Sequence, residues 1–162
     1  MRYSTLTTPI GELLLTADDD GALTAVHLPN RHGDTDGWER DDELLADARR
    51  QLSEYFAGER TTFDLPLRPA GTPFQLRVWD LLQRIPYGET ASYGELAQEL
   101  ADGERDLRLA RAVGAANGRN PIAIVVPCHR VIGSNGSLTG YAGGLECKRA
   151  LLDLEVGRTA LV

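Results

Sequence analysis

Lysine is nearly missing from this 162-residue chain: of its 17 basic residues only Lys148 is not an arginine. That bias fits a GC-rich coding sequence and carries no functional signal of its own. Cysteine is scarce too. Two residues, Cys128 and Cys147, cannot staple a disulfide scaffold, and in a reducing compartment both are expected as free thiols. With only three histidines, His27, His32 and His129, no spacing of the CxxC or HExxH kind arises, so neither a metal site nor a cofactor is expected. No apolar run approaches the roughly 20 residues that a membrane span requires. The first ten residues lack a basic region followed by an apolar stretch, so no secretion signal is expected and the cytoplasm is the default location. Positive charge is also in deficit. A net charge of −7 argues against a nucleic-acid partner until its distribution is considered.

The deficit lies in one half of the chain. Residues 1–70 carry 7 basic and 14 acidic side chains, whereas residues 71–162 carry 10 of each. Between Arg105 and Arg130 five arginines face a single acid, Asp106. A local patch of that kind can meet phosphates on an otherwise acidic protein, although a solvated face has the same composition. The length suits one ordinary domain or two small ones sharing a core.

The first half reads as a β-meander followed by a helix. Tyr3–Leu6, Glu12–Ala17 and Ala22–Leu28 are strand-like runs separated by turn residues at Pro9–Gly11 and Asp18–Gly21. Asp41 to Ala57 has helical spacing, with Leu44, Leu45, Ala48, Leu52, Tyr55 and Phe56 on one face and Gly58 as the stop. Thr62–Leu67 reads as one more strand. Nothing in residues 1–70 carries the pattern of chemistry. A boundary is expected near Arg68–Gly71, giving an N-terminal domain of residues 1–70 and a C-terminal domain of residues 71–162.

Signals sharpen after the boundary. Thr72-Pro73-Phe74-Gln75 is a capping box with proline at the first helical position, and Ser92-Tyr93-Gly94-Glu95 is a second box. The first helix is expected to run to about Arg84 and the second to about Leu100. Asp106 can cap a third, with Leu107, Ala110, Val113 and Gly114 on one face and an end near Asn117-Gly118. Two short helices joined by a polar turn form a helix-turn-helix pattern, with Arg108 and Arg111 directed outward. Ile122–Val126 then reads as a buried strand. Val131-Ile132 and Leu138-Thr139 flank Asn135-Gly136, a hairpin turn signal, so this segment reads as a wing. A last helix is expected over Leu145–Glu155. The fold class is therefore α+β: a small antiparallel sheet with a helix, then a winged helix-turn-helix-like domain.

The chemistry concentrates at Pro127-Cys128-His129-Arg130. Cys128 follows an apolar run that can hold it rigidly, and an adjacent imidazole and guanidinium can stabilise the reactive thiolate. On an extended chain neighbouring side chains point to opposite faces. His129 would then need a bridging water, or a turn in the chain, to take the thiol proton. A carboxylate must orient the imidazole; Glu146, Asp153 and Glu155 on the last helix are candidates.

The run Ile122–Ile132 around this motif resembles the active-site signature of the O6-alkylguanine-DNA alkyltransferases, also called methylated-DNA–protein-cysteine methyltransferases. Further blocks resemble the family in family order: Ile85-Pro86-Tyr87-Gly88-Glu89-Thr90, Ser92-Tyr93-Gly94, Ala110-Arg111-Ala112-Val113-Gly114, Asn117-Gly118-Arg119-Asn120-Pro121, Leu138 to Gly144, and Lys148-Arg149-Ala150-Leu151-Leu152. The resemblance is strong over residues 71–157 and loose over residues 1–70, where it implies a ribonuclease-H-like α/β domain.

The resemblance implies roles residue by residue. Cys128 is the nucleophile and permanent alkyl acceptor, and His129 its water-linked base. Glu155, 27 positions after Cys128, orients the histidine. Asn120 ties the helix-turn-helix to the active-site strand, and Tyr93 donates a proton toward the leaving guanine. Arg111 fills the space of a flipped nucleotide. Ala110, Gly114, Arg119 and Tyr93 fall among the DNA-contacting positions, and Val131, Tyr141, Ala142 and Gly143 among those lining the base pocket. The implied partner is duplex DNA bearing O6-alkylguanine, and O4-alkylthymine as well, approached from the minor groove; a monomer is the simpler expectation for the chain. The implied reaction is a single irreversible transfer. Asp102–Arg108 is longer than the family's usual turn, and Cys147 has no family role. A non-catalytic sensor of alkylated bases is the alternative, but sensors of that kind lack the acceptor cysteine. A Cys–His thiol hydrolase would need an oxyanion hole and would turn over.

Overall fold

The computed structural model describes residues 1–29, 34–101, 106–133, 135–136 and 144–157, with the backbone alone of Leu107. Strands β1 (Arg2–Thr8), β2 (Gly11–Ala17), β3 (Leu23–His27) and β4 (Glu39–Arg40) form one sheet in the order β3-β2-β1-β4. β1, β2 and β3 pair antiparallel, while β4 joins β1 in parallel. The alternation that marks a half-buried strand breaks down in β2, where Leu13 to Ala17 are all buried. Both of its faces are covered, as in a central strand.

Helix α1 (Ala46–Phe56) starts later than its spacing predicts. The Asp41 side chain accepts from Leu44 N at 3.0 Å, which satisfies a backbone donor locally and leaves residues 42–45 as turns. The strand expected over Thr62–Leu67 does not form. A single parallel bridge joins Leu67 to Leu23, and Pro66 has no N–H with which to extend a ladder.

Helix α2 (Pro73–Leu82) opens on the expected capping box, with both reciprocal hydrogen bonds between Thr72 and Gln75. The short strand β5 (Ala91–Ser92) leads into α3 (Tyr93–Leu100), whose Ser92–Glu95 box is also complete. Asp106 caps α4 (Leu107–Gly118) by accepting from the amides of Arg108 and Leu109. The Trp79 indole donates to the Ala116 carbonyl at 2.8 Å and fastens α2 to α4.

The buried strand expected over Ile122–Val126 is corrected by the structure. Every residue of the run is buried, but only Ile122 makes a bridge, to Val26 of β3. The rest turns, with Ile124 at φ 71°. An apolar run buried on all sides has no periodicity that separates strand from compact turn. Here Asn120 decides: its Oδ1 accepts from Ile122 N at 3.0 Å and its Nδ2 donates to Val126 O at 2.8 Å. A β-branched residue at positive φ is costly, and the clamp at both ends of the turn holds it there.

Strand β6 (Val131–Ile132) pairs in parallel with β5. The expected turn follows, with Gly136 N donating to Gly133 O at 2.9 Å. The second strand of the wing, Leu138-Thr139, lies outside the described residues. Helix α5 (Leu145–Val156) runs as predicted and ends on Gly157 in the left-handed conformation. One apolar core extends from Leu13 and Leu15 through Leu52 and Trp79 to Ile122 and Leu151.

Candidate active site

Cys128, His129 and Arg130 occupy a single 3-10 turn between the Asn120-clamped loop and β6. The chain is not extended here. Arg130 N bonds back to Pro127 O at 3.0 Å, so the opposite-face geometry expected of neighbouring strand residues does not apply. All three side chains are buried. The Cys128 carbonyl accepts from Asn117 Nδ2 at 3.4 Å and its amide donates to Val126 O at 2.8 Å. The backbone of the cysteine is therefore fixed from α4 and from the preceding loop. Asn117 was read from sequence only as a helix end; its burial within the family-like block 117–121 is what gives it this position.

Glu155 is the centre of the buried network. Its Oε2 accepts from Tyr55 Oη at 2.6 Å, pairs with His129 Nε2 at 2.6 Å and accepts from Arg130 Nη2 at 3.0 Å. Its Oε1 accepts from Arg130 Nε at 2.7 Å and from Gly88 N at 3.2 Å. Among the three carboxylates of α5 considered from sequence, Glu155 is the one that reaches the histidine. Gly88 has φ +81°, and a Cβ there would meet the Glu155 carbonyl at 3.3 Å. The turn after α2 can approach α5 only as glycine.

Burial pushes the Glu155 carboxyl up, but the bonds from His129, Arg130 and Tyr55 together outweigh it and hold it at about 2. It is ionised, hence an acceptor only. Burial, partly opposed by Glu155, lowers the His129 imidazole, and the charges of Arg130 and Lys148 lower it further. Burial, and then the charge of Glu155, raise the Tyr55 phenol well above its ordinary range, so it donates. A neutral imidazole that donates from Nε2 to a carboxylate presents an acceptor at Nδ1. Nδ1 is buried and finds no hydrogen-bond partner among the described residues.

Two sequence readings are corrected at this site. Composition places Arg130 in a basic patch that is either solvated or phosphate-facing, yet it is buried, fixed on Glu155, bonded to the Ile85 carbonyl at 2.7 Å and stacked over Tyr87 at 5.8 Å. Residues 1–70 were read as free of chemistry, yet Tyr55 of α1 joins the central carboxylate. An amphipathic-helix reading assigns Tyr55 to the core, and nothing in its spacing reveals the hydroxyl's partner 100 positions away.

The remaining predicted residues take these places. The parallel pairing of Ala91 with Val131 and Ser92 with Ile132 sets Tyr93, the next residue, beside the strand that follows the Cys128 turn. Tyr93 is half-buried, and its ring lies over Gly114, where a Cβ would meet it at 3.7 Å. Arg108, Arg111, Ala115, Gly118 and Arg119 are exposed along or just past α4, opposite its buried Val113, Ala116 and Asn117. Ala110 is half-buried. Val131 is fully buried, and its carbonyl accepts from the buried Lys148 Nζ at 2.5 Å. Tyr141, Ala142, Gly143 and Arg105 lie outside the described residues. Cys147 is half-buried on α5, and burial raises its thiol, with Glu146 adding to the effect. No group of three or more potential metal ligands gathers among the described residues. None of their helices is long and apolar enough to cross a membrane.

Comparison with known proteins agrees over both halves. Residues 73–157 match the DNA-binding domain of 6-O-methylguanine DNA methyltransferase, and residues 1–69 its ribonuclease-like domain. The chain is 48% identical over 157 residues to a methylated-DNA–protein-cysteine methyltransferase of Methanosarcina acetivorans, covering 96% of this chain and 98% of that protein. It is 50% identical over 165 residues to the protein so named from Mycobacterium tuberculosis, covering 98% and 94%. The crystal structure of Mycobacterium tuberculosis OGT in complex with DNA superposes with a TM-score of 0.87 at 50% identity, over 98% of this chain and 94% of that one. The O6-methylguanine-DNA methyltransferase of Pyrococcus kodakaraensis, at 23% identity and a TM-score of 0.55 over 95% and 98%, shares the fold.

Proposed function

The chain belongs to the 6-O-methylguanine DNA methyltransferase family, and from that premise we propose that it repairs O6-alkylguanine in duplex DNA by moving the alkyl group irreversibly onto Cys128. The activity is that of a methylated-DNA–protein-cysteine methyltransferase, and DNA is the partner. The observation that carries the reading is the buried Glu155–His129 pair, whose histidine shares a turn with Cys128 and whose Nδ1 is left as an acceptor.

The residues act as follows in this reading. The damaged base is stacked in the duplex and must be rotated out, at a cost on the order of a few kcal/mol. Arg111, exposed on α4, enters the gap, while Arg108 and Arg119 meet phosphates. His129 Nδ1 takes the thiol proton through a bridging water, and Glu155 stabilises the imidazolium. The thiolate attacks the alkyl carbon in line, forming the C–S bond as the C–O6 bond breaks, and the electron pair passes to the base. Tyr93 supplies a proton so that guanine does not leave as a bare anion. The product is a thioether that no group of the site can cleave, so each chain acts once. O4-alkylthymine presents the same kind of oxygen and is a second substrate. The protein works as a monomer in the cytoplasm.

The test is to mix the protein with a duplex carrying one O6-methylguanine, weigh the intact chain and map the labelled peptide. One added methylene on Cys128, absent in Cys128→Ser, is expected. An unchanged mass with the damaged duplex still bound would identify a sensor instead.

A further inference from the structure

We propose that Tyr55, contributed by α1 of the N-terminal half, is a positioning residue for alkyl transfer: its hydroxyl fixes Glu155 Oε2 against His129 Nε2 and so holds Nδ1 as the proton acceptor. The inference rests on the reading of Cys128 and His129 given above. Three donors meet at Oε2, from Tyr55, His129 and Arg130, and two at Oε1, from Arg130 and Gly88. A carboxylate offers about four lone-pair sites, so it is saturated and has no free rotation. Arg130 fixes it from one side. Tyr55 is the donor that approaches from the sheet domain.

The tyrosine is itself held rigidly. It is 0% exposed, and its ring meets Phe56 edge-on at 5.3 Å, Phe63 at 5.6 Å and Tyr87 edge-on at 6.1 Å. A core-filling role would be met equally by phenylalanine. The hydroxyl is what requires tyrosine, and its partner is the carboxylate that orients the base. By sharing Oε2, the phenol withdraws negative charge from the acceptor of the imidazole proton. The imidazolium is then less stabilised, and His129 stays neutral before substrate arrives. The other groups around the pair are Arg130 from the 3-10 turn, Lys148 from α5, which itself interacts with Cys128, and Tyr87 from the turn after α2. None of these is removed when the Tyr55 hydroxyl is deleted.

The experiment is single-turnover methyl transfer across pH, read as the mass label on Cys128, for the wild type, Tyr55→Phe and Leu52→Ala. Leu52 is a fully buried neighbour on α1 and makes no hydrogen bond to Glu155. Ring-nitrogen NMR of His129, one of three histidines, follows the base directly. Tyr55→Phe is expected to slow transfer roughly tenfold, less than the about 10²–10⁴-fold that a positioned acid or base supplies. It should also move the acid limb and the His129 titration upward by up to about one pH unit. Leu52→Ala should lower stability and leave both midpoints in place. Incorporating 3-fluorotyrosine at position 55 alone, a stronger donor of the same shape, should move them downward. Labelling of the wild type with midpoints unmoved in both position-55 variants, or an equal shift in Leu52→Ala, would overturn the inference alone. A wild type left unlabelled would overturn the reading beneath it as well.

Discussion

At Glu155 one carboxylate answers to five donors, and its environment sets the chemistry of its neighbours. Replacing it by glutamine keeps the shape but leaves the Arg130 guanidinium buried beside a neutral group. Breaking such a pair costs about 3–5 kcal/mol, so Glu155→Gln should lower the unfolding free energy by that amount in a denaturant titration. In the proposed mechanism the same variant loses the stabiliser of the imidazolium and should transfer methyl roughly a hundredfold more slowly. The sign of the pH effect follows from its direction. With the carboxyl at about 2 in the folded chain against 4.5 ordinarily, its stabilisation is complete above 4.5 and disappears as pH falls toward 2. That contribution is about 3 kcal/mol. The difference in stability between wild type and Glu155→Gln should therefore shrink over this window.

The elements around the site show which features local sequence carries. The two capping boxes and the Asp106 cap are chemistry between residues a few positions apart, and all were legible. So was Cys128-His129-Arg130 as a unit. The turn at Ile122–Val126 was not, because complete burial erases periodicity and the decisive bonds come from the Asn120 side chain. Removing that clamp, as in Asn120→Ala, frees a positive-φ isoleucine, unsatisfies Ile122 N and takes one of the two bonds from Val126 O. A loss of about 2–3 kcal/mol in stability and slowed labelling of Cys128 are expected.

The exposed face of α4 divides by role in the proposed reading. Arg108→Ala and Arg119→Ala should each reduce the slope of log affinity against log salt by about one. Arg111→Ala should leave that slope nearly unchanged and slow repair of a duplex more than repair of a single strand, where no gap needs filling. Equal effects of Arg111→Ala on both substrates would contradict the gap-filling role.

Across the whole molecule, the acidic half and the neutral half are joined where the site is built. Pro121 O accepts from Val26 N at 2.9 Å, and Leu23 exchanges backbone bonds with Pro66 and Arg68. Segments from before and after α2 thus cover the open edge of β3, which removes a template for strand addition. The same packing brings Tyr55 to Glu155. Composition indicated two halves of different charge, but a contact between residues 100 positions apart is set by tertiary packing and leaves no mark in either local pattern. The net charge of −7 likewise concealed the arginines of α4, since binding depends on where charge lies more than on its sum.

The proposed irreversible transfer to Cys128 is tested most directly by stoichiometry. A limiting amount of protein is given a large excess of duplex carrying O6-methylguanine, and methyl groups lost from DNA are counted against chains labelled on Cys128. The proposed reading predicts a plateau at one methyl lost per chain, with every lost methyl recovered on Cys128. Continued loss beyond one per chain, or loss with Cys128 unlabelled, would contradict it.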